Sequence, residues 1–224
     1  MATKRAQTLT GQQFKAALKI TRASDHPLRD EAALRLSFFA GLRASEIAKL
    51  RWRTNVLDAA GKVRTTLAIT GDVGKRSVER LIPITPELAS VLQRLRQARP
   101  EDEFVFYAVH NYMPPKAKTA DGKVKRTRND RPVSTIDKDF VPGSVTPNAV
   151  VQWFRRLYAK ASLDGASSHS GRRTFGTVRA RMANQKKCSI LDVQKLMGHK
   201  RLETTAAYIE PSEFQRDLVN VTNW

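Results

Sequence analysis

The chain has 224 residues, with 40 Lys and Arg against 21 Asp and Glu, so its formal charge is 40 − 21 = +19. Hydrophobic residues make up 41% and charged residues 27%, the balance of a folded globular domain rather than of a disordered polycation. The single cysteine, Cys188, excludes an internal disulfide and a multi-cysteine zinc site. No run approaches the ~18 consecutive apolar residues of a membrane span. The opening MATKRAQTLTG carries basic residues but no apolar stretch of the kind a secretory signal needs. The expected location is therefore the cytoplasm. A net positive charge of this size on a folded domain draws in polyanions, nucleic acid first, although a ribosome-associated protein or a merely basic surface fits the same composition.

In chain order, Thr8 to Thr21 has helical spacing in Phe14, Ala17 and Leu18, with Thr10 as its N-cap. Leu28 to Ala40 reads as a second, deeply buried helix that Gly41 breaks. Ser45 reads as the cap of a short helix carrying Ile47, Ala48 and Leu50, which leaves Arg43 in a tight turn. Val63 to Thr70 and Ser77 to Ile84 alternate as two strands, and Gly71-Asp72-Val73-Gly74 makes them a hairpin. Thr85-Pro86-Glu87 starts a helix whose apolar face is Leu88, Val91, Leu92 and Leu95. Phe104 to Tyr107 has the apolar run of a short strand.

Residues 114–131 change character: they hold seven Lys or Arg and almost no large apolar side chain. This is a long exposed loop, either a solvated linker or an arm that orders on nucleic acid. Thr146-Pro147 starts a helix that turns Val150, Trp153, Phe154, Leu157 and Tyr158 inward. Ser167 or Ser168 caps a helix to about Asn184, and Ser189 caps the next, with Asp192 three residues on. Gly198 ends that helix, and a last short one carries Thr204 to Tyr208. The predicted class is mainly α with a small antiparallel β-sheet.

The chain lacks a GxxxxGK[ST] loop, an HExxH zinc helix and a GxSxG elbow. What it does carry is His169 and Arg172 at i, i+3, which share the opening of a helix, where free N–H groups attract phosphate. Leu196-Met197-Gly198-His199 follows, then Tyr208 nine residues later, with Arg43 and Lys75 far upstream.

The set Arg43, Lys75, His169, Arg172, His199 and Tyr208 resembles the catalytic set of the tyrosine recombinases, the phage integrase family. So do its contexts: GLRASEIAKL, GKRSVERLIPIT, SSHSGRRTFGT and LMGHKRLETTAAYIE. The resemblance covers roughly Thr8 to Glu210 and implies the tyrosine recombinase catalytic-domain fold. It implies a site-specific recombinase in which Tyr208 attacks a scissile phosphate and forms a 3′-phosphotyrosyl link. The two Arg would clamp the phosphate, Lys75 would protonate the leaving 5′-oxygen, His169 would accept a proton or bind phosphate, and His199 would donate to it. Lys62 is the alternative to Lys75 if the hairpin register differs. Glu46 matches an acid that helps hold the site. The link conserves the phosphodiester energy, so no nucleotide, metal or other cofactor is implied.

The expected partner is double-stranded DNA, contacted by Arg173 and by Lys116, Lys118, Lys123, Lys125, Arg126, Arg128 and Arg131 of the loop. A homotetramer on paired sites is implied, with accessory DNA-bending or directionality proteins, at the nucleoid and not at a membrane. The expected organisation is a tail at 1–7, a catalytic domain at 8–210 with the basic loop inserted, and a tail at 211–224. That last tail, with Phe214, Leu218, Val221 and Trp224, either docks on a neighbouring protomer or packs on its own domain. Most family members carry a separate core-binding domain ahead of this region. The expectation is thus a short, catalytic-domain-only member, like the fimbrial-switch invertases, or a fragment. A type IB topoisomerase shares the Arg, Lys, His and Tyr chemistry. A non-catalytic regulator would explain the helix–Gly turn–helix of Ser189 to Tyr208 but not the full set.

Overall fold

The computed structural model describes residues 6–73, 79–108, 141, 143–183 and 189–208. Helices dominate: α1 (Gly11–Arg22), α2 (Pro27–Phe39), α3 (Ala44–Lys49), α4 (Pro86–Ala98), α5 (Pro147–Lys160), α6 (Ser170–Ala183), α7 (Ile190–Met197) and α8 (Leu202–Ala206). Strands β1 (Thr66–Ile69) and β2 (Arg80–Pro83) form one antiparallel pair, with Thr66 opposite Pro83 and Ile69 opposite Arg80. The mainly helical class with a small sheet is as the sequence predicts. No helix among the described residues is long and apolar enough to cross a membrane.

Local chemistry explains most helix starts. Thr10 Oγ1 accepts from Gln13 N–H at 3.3 Å, and Gln13 Oε1 accepts from Thr10 N–H at 2.8 Å. Thr85 and Thr146 cap α4 and α5 through Leu88 N–H and Ala149 N–H, with Pro at the first helical position in each. Ser189 and Asp192 form the reciprocal cap of α7. Gly198 ends α7 at φ 60°, the left-handed conformation that glycine adopts at little cost.

The central element is α2, buried along nearly its whole length against α1, α4 and α6. Its charges survive burial because they are paired. Arg29 Nε donates to Asp30 Oδ1 at 2.8 Å, and Glu31 accepts from both Arg22 and Arg35 at 2.8 Å. The main apolar core gathers Leu34, Leu36, Ile47, Leu50, Trp52, Leu67, Ile82, Leu88, Phe154 and Tyr158. A second, smaller cluster of Phe175, Ala183, Val193 and Met197 joins α6 to α7, with Tyr208 packed on it.

Four predicted boundaries move. Arg43, not Ser45, caps α3, because the Glu46 carboxylate reaches back to the Arg43 N–H at 2.9 Å. Phe104 to Tyr107 is not a strand. It makes one isolated bridge, Arg51 with Phe104, because the facing chain turns immediately into a π-type turn over Trp52–Val56. Helix α6 begins at Ser170, with Ser167 and Ser170 bonded reciprocally ahead of it. Helix α8 stops at Ala206, so Tyr208 lies in the turn beyond it. The strands are also shorter than predicted, and Val63 only bridges Leu57.

Candidate active site

The site is built around a buried carboxylate. Glu46 on α3 is fully buried and accepts from three directions. Arg43 Nη1 donates to its Oε1 at 2.9 Å, while Arg80 on β2 spans both oxygens at 3.1 and 2.9 Å. Burial alone would raise the pKa of this carboxyl. The Arg80 bonds and charge, then the Arg43 N–H and the Arg172 charge, outweigh it and hold the group down at about 2.

Arg172, in the first turn of α6, is buried at 2% exposure. Its Nη1 donates to the Gly41 carbonyl and its Nη2 to the Met197 carbonyl, both at 2.5 Å, and Nη2 also lies 3.0 Å from His199 Nε2. These bonds use three of the five N–H groups of a guanidinium and leave two to meet a ligand. Burial and the Arg43 charge lower its pKa to about 10, against the pull of Glu46, so it stays cationic at neutral pH.

His199 follows the Gly198 turn and is 7% exposed. Burial, then Arg172, Arg43 and Arg80, depress its pKa to about 4, with Glu46 opposing. The ring is neutral at pH 7. Its Nδ1 lies 3.0 Å from Thr205 Oγ1 on α8, and it stacks on the Tyr208 ring with centroids 5.4 Å apart and planes at 30°. The Arg173 guanidinium sits 6.0 Å from the Tyr208 ring centroid. Gly176 makes room for this tyrosine, because a Cβ there would lie 2.5 Å from Tyr208 Cδ1. His169, one residue ahead of α6, is exposed as a residue but partly desolvated, with the Arg172 and Arg43 charges near it. That desolvation, then the two cations, lowers its pKa.

The fold thus brings Arg43, Glu46, His169, Arg172, His199 and Tyr208 together from three separate stretches of chain. Among the described residues, the inner cluster holds three guanidinium groups, Arg43, Arg80 and Arg172, against the carboxylate of Glu46. An excess of positive charge of this kind attracts anions. Lys75, the loop residues Lys116, Lys118, Lys123, Lys125, Arg126, Arg128 and Arg131, and the tail 211–224 lie outside the described residues. The connection that contains Lys75 leaves β1 after Ile69 and returns at Arg80, beside Glu46. Lys62 sits beyond the other end of β1, in a turn closed by Asp58 N–H to the Lys62 carbonyl at 2.8 Å.

A model of the Phage integrase family matches residues 7–214. The chain belongs to the phage integrase family. Among curated family members, tyrosine recombinase XerD of Xanthomonas axonopodis pv. citri is 30% identical over 190 residues, which is 81% of this chain and 50% of that protein. Tyrosine recombinase XerC of Myxococcus xanthus is 25% identical over 184 residues, 82% of this chain and 50% of that one. The chain spans about half the length of these relatives. Solved structures agree on the fold. XerA recombinase matches with a TM-score of 0.62 at 17% identity, covering 99% of this chain and 68% of that chain. XerH site-specific recombinase bound to its difH substrate matches at 0.61 and 15%, covering 100% and 56%.

Two residues of this phage integrase site escape the sequence reading. Arg80 ties β2 to Glu46 and also donates from Nε to the Leu196 carbonyl at 3.0 Å, so it bolts three elements together. Its signal is present in the strand: Arg80 and Ile82 point inward while Leu81 is 65% exposed, an inverted alternation. Thr205 is fully buried against His199, and no periodicity marks it.

Proposed function

We propose that this chain cuts and rejoins duplex DNA as a site-specific tyrosine recombinase. Tyr208 Oη attacks the scissile phosphorus, the P–O5′ bond breaks, and a 3′-phosphotyrosyl link forms. Arg43 and Arg172 hold the non-bridging oxygens and stabilise the charge that builds on them. His169 takes the tyrosine proton, His199 donates to a phosphate oxygen, and Lys75 protonates the departing 5′-oxygen. A 5′-hydroxyl of the partner strand then reverses the step, so the energy of the bond is conserved and no nucleotide is consumed.

The observation that carries this reading is the pair of guanidinium groups, the partly exposed Arg43 and the buried Arg172, converging beside the stacked His199 and Tyr208. An excess of fixed positive charge next to a tyrosine suits a phosphodiester. The solved neighbours support it further, since XerH is described with its difH substrate and lambda integrase as a dimer on a core site. On this reading the partner is double-stranded DNA. Arg173 and the 114–131 loop contact its backbone, and four copies assemble on two paired sites, with accessory DNA-bending or directionality proteins where needed. The 211–224 tail docks on the neighbouring copy.

Covalent trapping tests the proposal. Nicked suicide duplexes tiled across the DNA flanking the gene are incubated with wild type and with Tyr208→Phe. The expected result is a protein–DNA adduct with wild type and none with the variant. An adduct that persists in Tyr208→Phe overturns the assignment of the nucleophile. Recombinant products between paired sites, rather than relaxed circles, separate a recombinase from a topoisomerase.

A further inference from the structure

A run of hydrogen bonds leads from the start of the chain to the turn that presents His169. The Leu9 N–H donates to Thr174 Oγ1 at 2.9 Å, across 165 residues of sequence. A backbone N–H can only donate, so the hydroxyl accepts there and turns its own hydrogen to the Ser170 carbonyl one turn back, at 2.8 Å. Ser170 in turn closes the α5–α6 connection. Its Oγ accepts from Ser167 N–H at 2.9 Å, its N–H donates to the Ser167 carbonyl at 2.8 Å, and Ser167 Oγ accepts from His169 N–H at 3.3 Å. Leu9 is a firm anchor, since its side chain is buried in the main core and it immediately precedes the Thr10 cap of α1. The start of α6 is also held through α2: Phe14 of α1 packs on Phe38, with ring centroids 4.9 Å apart, and a Cβ on Gly171 would lie 2.7 Å from Phe38 Cδ2. Arg172 is fixed through its own side chain by the Gly41 and Met197 carbonyls. Among the described residues no hydrogen bond holds the His169 ring, so the backbone of the turn sets where that ring stands.

We infer that Thr174 is a positioning residue for His169: its hydroxyl ties the turn at 167–170 to the Leu9 backbone, and so holds the imidazole in the site. This rests on the reading of His169 as the group that takes the tyrosine proton. Without the hydroxyl, the Leu9 N–H has no acceptor and Ser170 loses the contact that joins it to the start of the chain. Arg172 keeps its two carbonyl bonds. Phosphate binding therefore survives while the proton acceptor is displaced.

The test compares the full chain as wild type, Thr174→Val and Thr174→Ser, each with His169 and with His169→Gln. Thr174→Val keeps the shape and removes the hydroxyl. It is expected to slow formation of the Tyr208 adduct by about five- to tenfold, the loss that one net hydrogen bond corresponds to, with unchanged equilibrium binding to the same duplex. Thr174→Ser is expected to restore the rate. In the His169→Gln background, Thr174→Val is expected to cost less than about twofold, because residues that act through one another do not add. Hydrogen exchange reads the tether directly. The Leu9 amide is expected to be protected in wild type and in Thr174→Ser, and to exchange faster in Thr174→Val. Equal slowing in both backgrounds overturns the inference, since a general loosening of α6 acts without His169. So does a Thr174→Val protein with the wild-type trapping rate, or with wild-type exchange at Leu9. If Leu9 protection follows Thr174 while wild type forms no adduct, the tether stands and the reading of the site as a strand-cleaving centre falls.

Discussion

Arg172 and Gly41 are 131 residues apart in the chain, yet the Arg172 Nη1 donates to the Gly41 carbonyl at 2.5 Å. The bond is available because Gly41 turns at φ +62°, which aims its carbonyl away from the end of α2 and into the site. The Phe175 ring, one turn along α6 from Arg172, closes over the same glycine. The break between α2 and α3 is therefore part of the anion site.

Gly41→Ala should be costly on two counts. A Cβ would lie 2.6 Å from Phe175 Cδ1, and L-residues resist this backbone conformation. The expected loss is about 2–5 kcal/mol, read from urea unfolding. Trapping should fall as well, because the carbonyl that steadies Arg172 moves. A variant as stable as wild type would contradict both the turn and its contact.

Glu46→Gln removes the one carboxylate from a group of three guanidinium side chains. Breaking a buried ion pair from one side costs about 3–5 kcal/mol, so the urea midpoint should drop sharply. Arg80→Met is expected to be milder in charge but to free the Leu196 carbonyl, and so to loosen the turn that carries His199. Near-UV circular dichroism and the urea midpoint together distinguish the two.

Acid should destabilise the fold in two stages. The folded His199 has a pKa of about 4 against an ordinary 6.5, so protons favour the unfolded chain. Its contribution is complete above pH 6.5 and is lost as pH falls toward 4. The 2.5-unit difference corresponds to at most about 3 kcal/mol. His169 adds a slope of the same sign. Glu46, held at about 2 against 4.5, contributes fully above pH 4.5 and fades as pH falls toward 2. Urea midpoints between pH 7.5 and 4.5 should show the first stage in wild type and a flatter profile in His199→Gln. Equal slopes would remove His199 from the account.

Arg172→Lys keeps the charge but loses the planar fork that reaches two carbonyls and one imidazole. A loss of about 10²–10³ in first-turnover cleavage is expected. Equilibrium binding to the same duplex should change far less, and its log–log salt slope should stay near −0.9 per phosphate contacted. A lysine variant that cleaves at the wild-type rate would show that charge alone suffices.

What the sequence discloses and what it hides divide along the range of the interactions. Thr10, Thr85, Thr146 and Ser189 are legible as caps because their partners lie three residues away. The Gly198 stop is legible for the same reason, and the hairpin pairing through the alternation of its two strands. Arg43 as a cap is hidden because its partner, Glu46, is also committed to Arg80, 34 residues on. Arg80 is hidden because a buried arginine in a strand makes sense only once that carboxylate is known to face it. The Phe104 run looks like a strand by composition, yet what faces it is a single residue, Arg51, before the chain turns. The candidate site is legible through its family contexts. The contact of His199 with Arg172 emerges only when α6 and the turn after α7 meet.

The two apolar clusters give the site a seam. Arg43 and Glu46 belong to the large core through Leu42, Ala44 and Ile47, whereas Tyr208 rides on the small cluster of Phe175, Ala183, Val193 and Met197. A unit with so little buried apolar area opens at a lower free energy than the whole domain. Backbone amides of α7 and α8 should therefore exchange with solvent hydrogen sooner than those of α2, with Arg80 and the Gly198 turn as the line of parting. An opening of that kind withdraws the tyrosine while the guanidinium group of Arg43 stays in place.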